Sequence, residues 1–417
     1  MKKHIFFISI LMLCFCANNS ITAQTNYLSL IGKVDSISSI TLKEQRKFWV
    51  QLPQNFNPKK TYPAVYILDG ETHLPTVSIV QNYYSGGFTP EMILVGISNQ
   101  KNRTRDLTIS KITNRQGAAF NQETGGAEKF RQFIENELIP YIDKKYPTTN
   151  YRTLIGHSYG GLFTINTLVH HPHLFANYLA IDPTLDWDNQ KIIKEAKEVF
   201  QKKKIKNKSL YISLSGPLHM QRNDITIDNI MNDKSDYTLF GRSNLEFTQI
   251  AKNNKKNGLK TEWKYYKKDF HGTISFPSIM DGLISFFRWY EIKDTHKFNN
   301  PETTTSELMQ IIKNQEERYL KHFGYFSPPF DEQLLIMSGY MFLEMQQSEK
   351  SLAFFKLATR YYPKSANTFD SLADFYASHK NYVKALEQVK IAYSISKSEN
   401  HLKRVTEFKN KTQQKTK

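Results

Sequence analysis

The sequence predicts an α/β fold, a mostly parallel sheet with helices on both faces, followed by a small all-α domain. Strand patterns alternate with helix patterns from about residue 40 to residue 295, whereas residues 300–417 contain no strand pattern. Such alternation favours a parallel sheet that helices cover on both faces. Several of the strands are unbroken apolar runs, as expected for strands that are buried on both sides.

The individual elements follow in order along the chain. Residues 46–52 alternate apolar and polar side chains, and residues 64–68 and 92–97 are apolar runs of strand length. Residues 126–145 repeat apolar side chains at helical spacing, and Pro147 ends that helix. The remaining predictions are strands at 152–156, 178–181, 210–214 and 261–266, and helices from 161 and at 190–200, 239–253 and 277–290.

The C-terminal segment matches itself at an offset of 34 residues. Small residues recur, as with Gly339 and Ala373, and bulky ones recur, as with Phe355 and Val389. Over residues 335–400 this pattern resembles the tetratricopeptide repeat, in which helical hairpins stack and bind protein partners. Two repeats are fewer than a free-standing solenoid needs. The segment is therefore expected to pack on its neighbours, and an ordinary helical extension is the alternative.

The N-terminus predicts export. Two lysines precede an apolar run over residues 5–17, and Ala23 offers a small residue at the cleavage point, as in a signal peptide over 1–23. The run is too short to span a membrane. Both cysteines, Cys14 and Cys16, lie in this leader, and Phe15 disfavours a lipid anchor at Cys16. The mature chain is expected to be periplasmic or secreted, without disulfides or thiolate metal sites.

The basic composition has a limited meaning once the chain is exported. The formal charge of +17 over 417 residues falls to +15 with the leader removed. Export argues against a nucleic-acid partner, and the lysine run at 202–204 is typical of a solvated helix end. The charge is expected at most to favour anionic esters, such as a catecholate siderophore or an acidic sugar ester.

One pentapeptide carries the chemistry. Residues 156–160 fit the pattern G-x-S-x-G, with an apolar strand before them and a helix pattern after them. In this context Ser158 lies on a tight strand-to-helix turn that points its hydroxyl out of the sheet as a nucleophile. The flanking glycines are expected to avoid collision with neighbouring backbone. The alternative is a glycine-rich turn without catalysis.

The nucleophile needs a base and an acid. Of the 12 histidines, His271 follows the last predicted strand on a loop and is the expected base. The acid is expected after the strand that ends at Leu214, but residues 215–218 offer no carboxylate. Asp233 is the first choice. The alternatives are Asp228, Asp224 and Asp236, or an imidazole oriented by water or an amide.

An oxyanion hole and a substrate-binding surface complete the predicted site. The backbone N–H of Tyr159 is one expected oxyanion donor, and the second is the N–H of Gly70 or Glu71. Glu71, Arg103 and His157 are candidate substrate-binding residues. Arg103, Arg105 and Asp106 are expected either to line the same cleft or to form a loop salt bridge.

Four motifs in this order resemble the putative-esterase branch of the α/β-hydrolases, which includes esterase D-like and enterobactin (siderophore) esterases. The motifs span residues 62–71, 95–108, 156–161 and 270–282. The resemblance implies an α/β-hydrolase fold and ester hydrolysis by Ser158 and His271, without a metal or an organic cofactor. It leaves the substrate open, because the family includes siderophore, acetyl and feruloyl esterases.

Together these observations predict three segments: a signal peptide at 1–23, an esterase domain at 24–295 and a helical tetratricopeptide-like domain at 296–417. The expected substrate is a small-molecule or glycan ester, and a protein partner would bind through the helical repeats. No nucleic acid and no integral membrane segment are expected. The alternative function is a catalytically inert hydrolase-fold scaffold that recruits a partner through those repeats.

Overall fold

The computed structural model describes residues 31–115 and 117–414. The chain divides into two compact units, one that ends at Glu291 and one that begins at Ile292. The predicted leader at 1–23, with Cys14 and Cys16, lies outside the described residues. Within the described residues, no helix is both long enough and apolar enough to cross a membrane.

The first unit is built on an eight-stranded mixed sheet in the order β1-β2-β4-β3-β7-β8-β9-β10. Its first two ladders, β1 with β2 and β2 with β4, are antiparallel, and the others are parallel. These strands are β1 Lys33–Ser39, β2 Glu44–Gln51, β3 Tyr62–Ile67, β4 Ile93–Ile97, β7 Thr148–His157, β8 Asn177–Ile181, β9 Lys208–Ser215 and β10 Leu259–Tyr266. A separate hairpin pairs β5 Asn114–Arg115 with β6 Ala118–Ala119.

Helices of the first unit cover both faces of this sheet. They are α1 Gly70–Tyr84, α2 Arg103–Leu107, α3 Ala127–Phe133, α4 Ile139–Lys145, α5 Tyr159–His170, α6 Trp187–Lys202, α7 Leu239–Asn253 and α8 Ser275–Phe287. Helix α8 packs with α1 and on β8 and β9, whereas α5 packs with α6 and on β7 and β8. Every residue of β3 and β4 is buried between the two layers. The predicted α/β class is confirmed.

Several local features differ from the sequence prediction. A π-helical turn, Ile134–Leu138, separates α3 from α4 where one helix was expected. The edge strand β1, the β5–β6 hairpin and helices α1 and α2 carry no pattern strong enough to predict. In β1, for example, three of seven side chains are serine, and most of the strand is exposed.

The second unit consists of helices α9 Thr305–Phe323, α10 Glu332–Glu344, α11 Ser348–Tyr361, α12 Ala366–Ser378, α13 Tyr382–Ser396 and α14 Glu399–Gln414. Helices α10 and α12 begin 34 residues apart, as do α11 and α13. A side chain at Gly339 would come within 2.7 Å of the Phe355 ring, which explains the small residue there. The resemblance to the tetratricopeptide repeat remains a prediction.

Candidate active site

Ser158 lies on the tight turn between β7 and α5, in the middle of the parallel sheet. Its φ of 60° and ψ of −116° are strained for a residue with a side chain. Two backbone bonds hold the turn: the Ser158 N–H donates to the Ile181 carbonyl at 2.9 Å, and the Thr184 N–H donates to the Ser158 carbonyl at 3.1 Å. The turn therefore fixes the hydroxyl at the carboxyl end of the sheet.

His271 lies on the loop between β10 and α8, and its ring faces Ser158. The Nε2 atom is 3.0 Å from Ser158 Oγ, a distance that allows the hydroxyl to donate to the imidazole. The sequence predicted both residues, and the structure brings them together. Their spacing is that of a nucleophile and its general base.

Asp182 orients this imidazole from the other side. Its Oδ2 atom accepts the hydrogen bond from His271 Nδ1 at 2.6 Å, and its side chain is completely buried. The Ser215 N–H donates to Oδ1 at 2.8 Å, and the Ser215 hydroxyl donates to Oδ2 at 2.6 Å. The Asp182 carboxylate lies just after β8, but Ser215 at the end of β9 holds it in place.

The structure corrects the expected position of the acid. Asp233 does not contact His271; it accepts hydrogen bonds from the Ser235 hydroxyl at 2.5 Å, the Ser235 N–H at 2.8 Å and the Thr238 hydroxyl at 3.0 Å. These bonds lower the pKa of Asp233 to about 2. Asp233 is therefore a turn-stabilising residue at the start of α7. The alternatives Asp224, Asp228 and Asp236 lie in the same exposed segment between β9 and α7.

Two helices begin near the nucleophile, each with one of the predicted oxyanion donors as its first residue. Tyr159 is the first residue of α5 and Gly70 is the first residue of α1, so neither N–H has an acceptor within its helix. The loop before α1 reaches the turn, because Asp69 Oδ2 lies 3.7 Å from where a side chain at Gly160 would begin. Both predicted oxyanion donors thus lie on elements that meet at Ser158.

A cavity of about 460 Å³ opens beside the turn, between α1 and the loop after His271. The three predicted substrate-binding residues, Glu71, Arg103 and His157, all line it, and so does His73. The volume is within the roughly 300–1,000 Å³ typical of small-molecule pockets. Among the described residues, no three His, Cys, Asp or Glu side chains are grouped so as to hold a metal ion.

Arg105 and Asp106 are structural rather than part of the cavity. The buried Asp106 carboxylate receives Arg46 Nη1 at 2.7 Å, and Arg105 bridges Asp106 and Glu44. Arg103 differs, because it pairs with Asp69 at the cavity wall and donates to the His157 carbonyl at 3.2 Å. Arg105 and Asp106 thus form the loop salt bridge, whereas Arg103 lines the cleft.

His157 holds the loop that carries the candidate base. Its Nε2 atom lies 2.8 Å from the backbone carbonyl of His271, so a neutral imidazole with its proton on Nε2 donates this bond. Burial, together with the neighbouring His271, lowers the pKa of His157 to about 3. The imidazole therefore remains neutral near pH 7 and keeps donating.

The lowered pKa of His157 predicts that the stability of the fold depends on pH. Because the folded state disfavours protonated His157, stability is complete above the unfolded pKa of about 6.5 and falls as the pH drops towards 3. Between pH 6.5 and pH 5 the wild type should lose about 1–2 kcal/mol more unfolding free energy than His157→Gln, after allowance for partial exposure. Urea denaturation of both proteins across this range measures the difference. Parallel pH profiles would contradict the assignment.

Comparisons with known proteins place the chain in a family. The family model described as "Putative esterase" matches residues 39–272. The ferri-bacillibactin esterase BesA of Bacillus subtilis is 30% identical over 200 residues, which cover 44% of this chain and 68% of that protein. An apo-salmochelin esterase of Escherichia coli is 27% identical, over 36% of this chain and half of its own length.

A solved structure is similar over a longer part of the chain. An IroE-like serine hydrolase from Shewanella oneidensis has a TM-score of 0.65 and 27% sequence identity. The match covers 79% of this chain and 99% of that one. The likeness therefore covers nearly the whole of the solved protein.

Proposed function

The chain belongs to the Putative esterase family and is a carboxylic-ester hydrolase, and we propose that it works through an acyl-enzyme formed on Ser158. The observation that carries this proposal is the continuous chain of contacts from Ser158 Oγ through His271 to Asp182, at 3.0 Å and 2.6 Å. Such a chain activates a hydroxyl that is otherwise a poor nucleophile.

In the first half of the reaction, His271 Nε2 accepts the proton as Ser158 Oγ attacks the ester carbonyl carbon. The carbonyl π electrons move to oxygen, and the N–H groups of Tyr159 and Gly70 stabilise the resulting oxyanion. When the tetrahedral intermediate collapses, the C–O bond to the alcohol breaks. The imidazolium of His271 returns its proton to the leaving alkoxide, so the alcohol departs neutral.

The second half repeats these steps with water. His271 removes a proton from a water molecule that attacks the acyl-enzyme carbonyl, and the same two N–H groups hold the second oxyanion. Ser158 leaves with the proton from His271, and the carboxylic acid product is released. Two bonds from Ser215 hold the Asp182 carboxylate against His271, and this carboxylate stabilises the imidazolium in both halves.

We propose that the substrate is a siderophore ester and that the protein acts after export. The named relatives that match this chain are siderophore esterases, and the cavity beside Ser158 has the size of a small-molecule site. The predicted leader at 1–23 supports a periplasmic or secreted enzyme. Cell fractionation of the producing organism with an antibody to the chain tests the location, and retention in the cytoplasm would contradict it.

Covalent labelling tests the nucleophile directly. A fluorophosphonate probe reacts only with an activated serine, forming an O–P bond as fluoride leaves. We expect the wild type to carry one label on the peptide that contains Ser158, as read by mass spectrometry. Ser36→Ala, which changes an exposed serine of β1, should label equally. Labelling of Ser158→Ala to the wild-type extent would exclude the mechanism.

A further inference from the structure

Arg103 contacts both elements that carry the expected oxyanion donors. Its Nε atom donates to Asp69 Oδ1 at 2.8 Å and its Nη2 atom donates to Asp69 Oδ2 at 2.9 Å. Asp69 immediately precedes Gly70, the first residue of α1. The same Nη2 atom donates to the His157 carbonyl at 3.2 Å, directly before Ser158. A single guanidinium thus links the loop before α1 to the turn that bears the nucleophile.

The contact with the His157 carbonyl fixes the peptide unit that leads into Ser158. The carbonyl of this unit accepts from Arg103, and its N–H donates to the Ile181 carbonyl at 2.9 Å. The unit cannot rotate without breaking one of these bonds. The guanidinium carbon also lies 5.5 Å from the centre of the Tyr159 ring, within cation–π distance. Arg103 therefore restricts the backbone on which the Tyr159 N–H depends.

Asp69 fixes the second donor, the N–H of Gly70. Asp69 has a φ of 50°, in the left-handed region, and its own N–H donates to Asn99 Oδ1 at 3.1 Å. Its carboxylate makes no capping hydrogen bond to α1, although it directly precedes that helix, and Arg103 holds it instead. A Cβ atom at Gly70 would lie 2.4 Å from the Gly96 carbonyl carbon, so this backbone is packed tightly against β4.

The Asp69 carboxylate lies beside both donors, so its charge needs a partner. Its Oδ2 atom is 3.7 Å from where a side chain at Gly160 would begin, and Gly160 follows Tyr159. The Asp69 side chain is only 11% exposed, and water therefore screens its charge weakly. An unpaired carboxylate here would repel the negative charge that develops on the substrate oxygen. Arg103 supplies the compensating positive charge.

We propose that Arg103 is the positioning residue of the oxyanion hole: it holds the Tyr159 and Gly70 N–H groups in place and neutralises Asp69 beside them. This inference rests on the proposed function, because it concerns the oxyanions that form when Ser158 attacks an ester. An arginine that only binds substrate acts on KM. A positioning residue acts on kcat, since the oxyanion is absent from the bound ground state.

Turnover of p-nitrophenyl acetate tests this role, because the ester carries no net charge for an arginine to bind. Arg103→Met should lower kcat by about 100-fold, the scale of one displaced oxyanion donor, and should change KM by less than about threefold. Arg288→Met, which removes an exposed arginine paired with Glu262, should retain the wild-type kcat. A kcat of Arg103→Met within threefold of the wild type, or a loss confined to KM, would overturn the proposal.

Two further variants separate positioning from folding, with circular dichroism as the check. Asp69→Asn removes the charge but keeps a residue that tolerates the left-handed conformation. Combined with Arg103→Met it removes the repulsion, so kcat should rise about tenfold above that of Arg103→Met alone. Arg103→Lys keeps the charge without the planar fork, and its kcat should be about tenfold below wild type. A double variant no faster than Arg103→Met, or a wild-type kcat in Arg103→Lys, would contradict the proposal.

Inhibition by phenylethyl trifluoromethyl ketone measures oxyanion binding without turnover. Ser158 Oγ bonds to the ketone carbon, the carbonyl π electrons move to oxygen, and His271 Nε2 takes the hydroxyl proton, which leaves a hemiketal oxyanion. Its inhibition constant should rise about 100-fold in Arg103→Met and stay unchanged in Arg288→Met. Equal inhibition of Arg103→Met and the wild type would overturn the proposal. A wild type that neither hydrolyses esters nor labels at Ser158 would instead contradict the proposed function.

Discussion

Replacing Asp182 with asparagine is expected to lower kcat for ester hydrolysis by about 10⁴-fold, the effect of the same change in other serine hydrolases. Asparagine has the shape of aspartate, but its amide offers no negative charge to stabilise the imidazolium of His271. It also presents a donor to Nδ1, which favours the wrong tautomer. KM should change little, because Asp182 is buried behind the histidine and does not line the cavity.

The matched control is Asp233→Asn, the change at the position that the sequence favoured. Its carboxylate binds Ser235 and Thr238 at a turn before α7, so kcat should stay within about threefold of the wild type. Circular dichroism of both variants checks that they are folded. Normal turnover by Asp182→Asn with loss of turnover in Asp233→Asn would reverse the assignment.

The acid was missed for a topological reason. A sequence shows which strand an aspartate follows, but not which strands are neighbours in the sheet. The order β7-β8-β9 brings the ends of β8 and β9 to the same place beside the nucleophile. Asp182 follows β8, and Ser215, at the position where an acid was expected, donates both its N–H and its hydroxyl to that carboxylate. The carboxylate that binds His271 therefore follows β8, and the end of β9 supplies the donors that hold it.

Other features of the site could be predicted because their signals are local. Ser158 stands in a motif that needs only five residues, and His271 follows a strand with a clear pattern. The three cavity residues Glu71, Arg103 and His157 were found through motifs of the family. The pairing of Arg103 with Asp69 could not be predicted, because it depends on which side chains meet in three dimensions.

The elements that were missed share weak side-chain patterns. Local backbone detail was missed even in the predicted helix α6, where residues 188–190 adopt left-handed conformations and the sequence shows only polar residues. The π-helical turn Ile134–Leu138 was missed because its two buried residues, Ile134 and Leu138, are four positions apart, a spacing that an α-helix also shows. Backbone irregularities of this kind leave little trace in composition.

The largest effect on stability is expected from Gly156→Ala, in the turn that carries the nucleophile. A Cβ atom at this position would lie 2.1 Å from the Gly160 carbonyl oxygen and 2.3 Å from its carbon. Both are backbone atoms of the first turn of α5, so the helix and Ser158 would have to move. We expect the free energy of unfolding to fall by about 3 kcal/mol, at the upper end of overpacking effects.

Gly160→Ala provides the control within the same motif. A side chain there would begin 3.5 Å from Leu68 Cδ1, which is ordinary van der Waals contact, so the free energy of unfolding should change by about 1 kcal/mol at most. The expectation that both flanking glycines prevent collisions therefore holds for Gly156 and not for Gly160. The second tight position is instead Gly161, where a side chain would approach Pro183 Cβ at 2.7 Å.

Tryptophan fluorescence during urea denaturation measures this difference in the first unit alone. All four tryptophans, at positions 49, 187, 263 and 289, precede residue 292, so the helical unit contributes no tryptophan signal. Equal denaturation midpoints for Gly156→Ala and the wild type would contradict the predicted contacts. Equal losses of unfolding free energy in Gly156→Ala and Gly160→Ala would contradict them as well. A loss confined to Gly156→Ala would mean that the first glycine of the motif is needed to hold Ser158 in place, whereas the second is not required by packing.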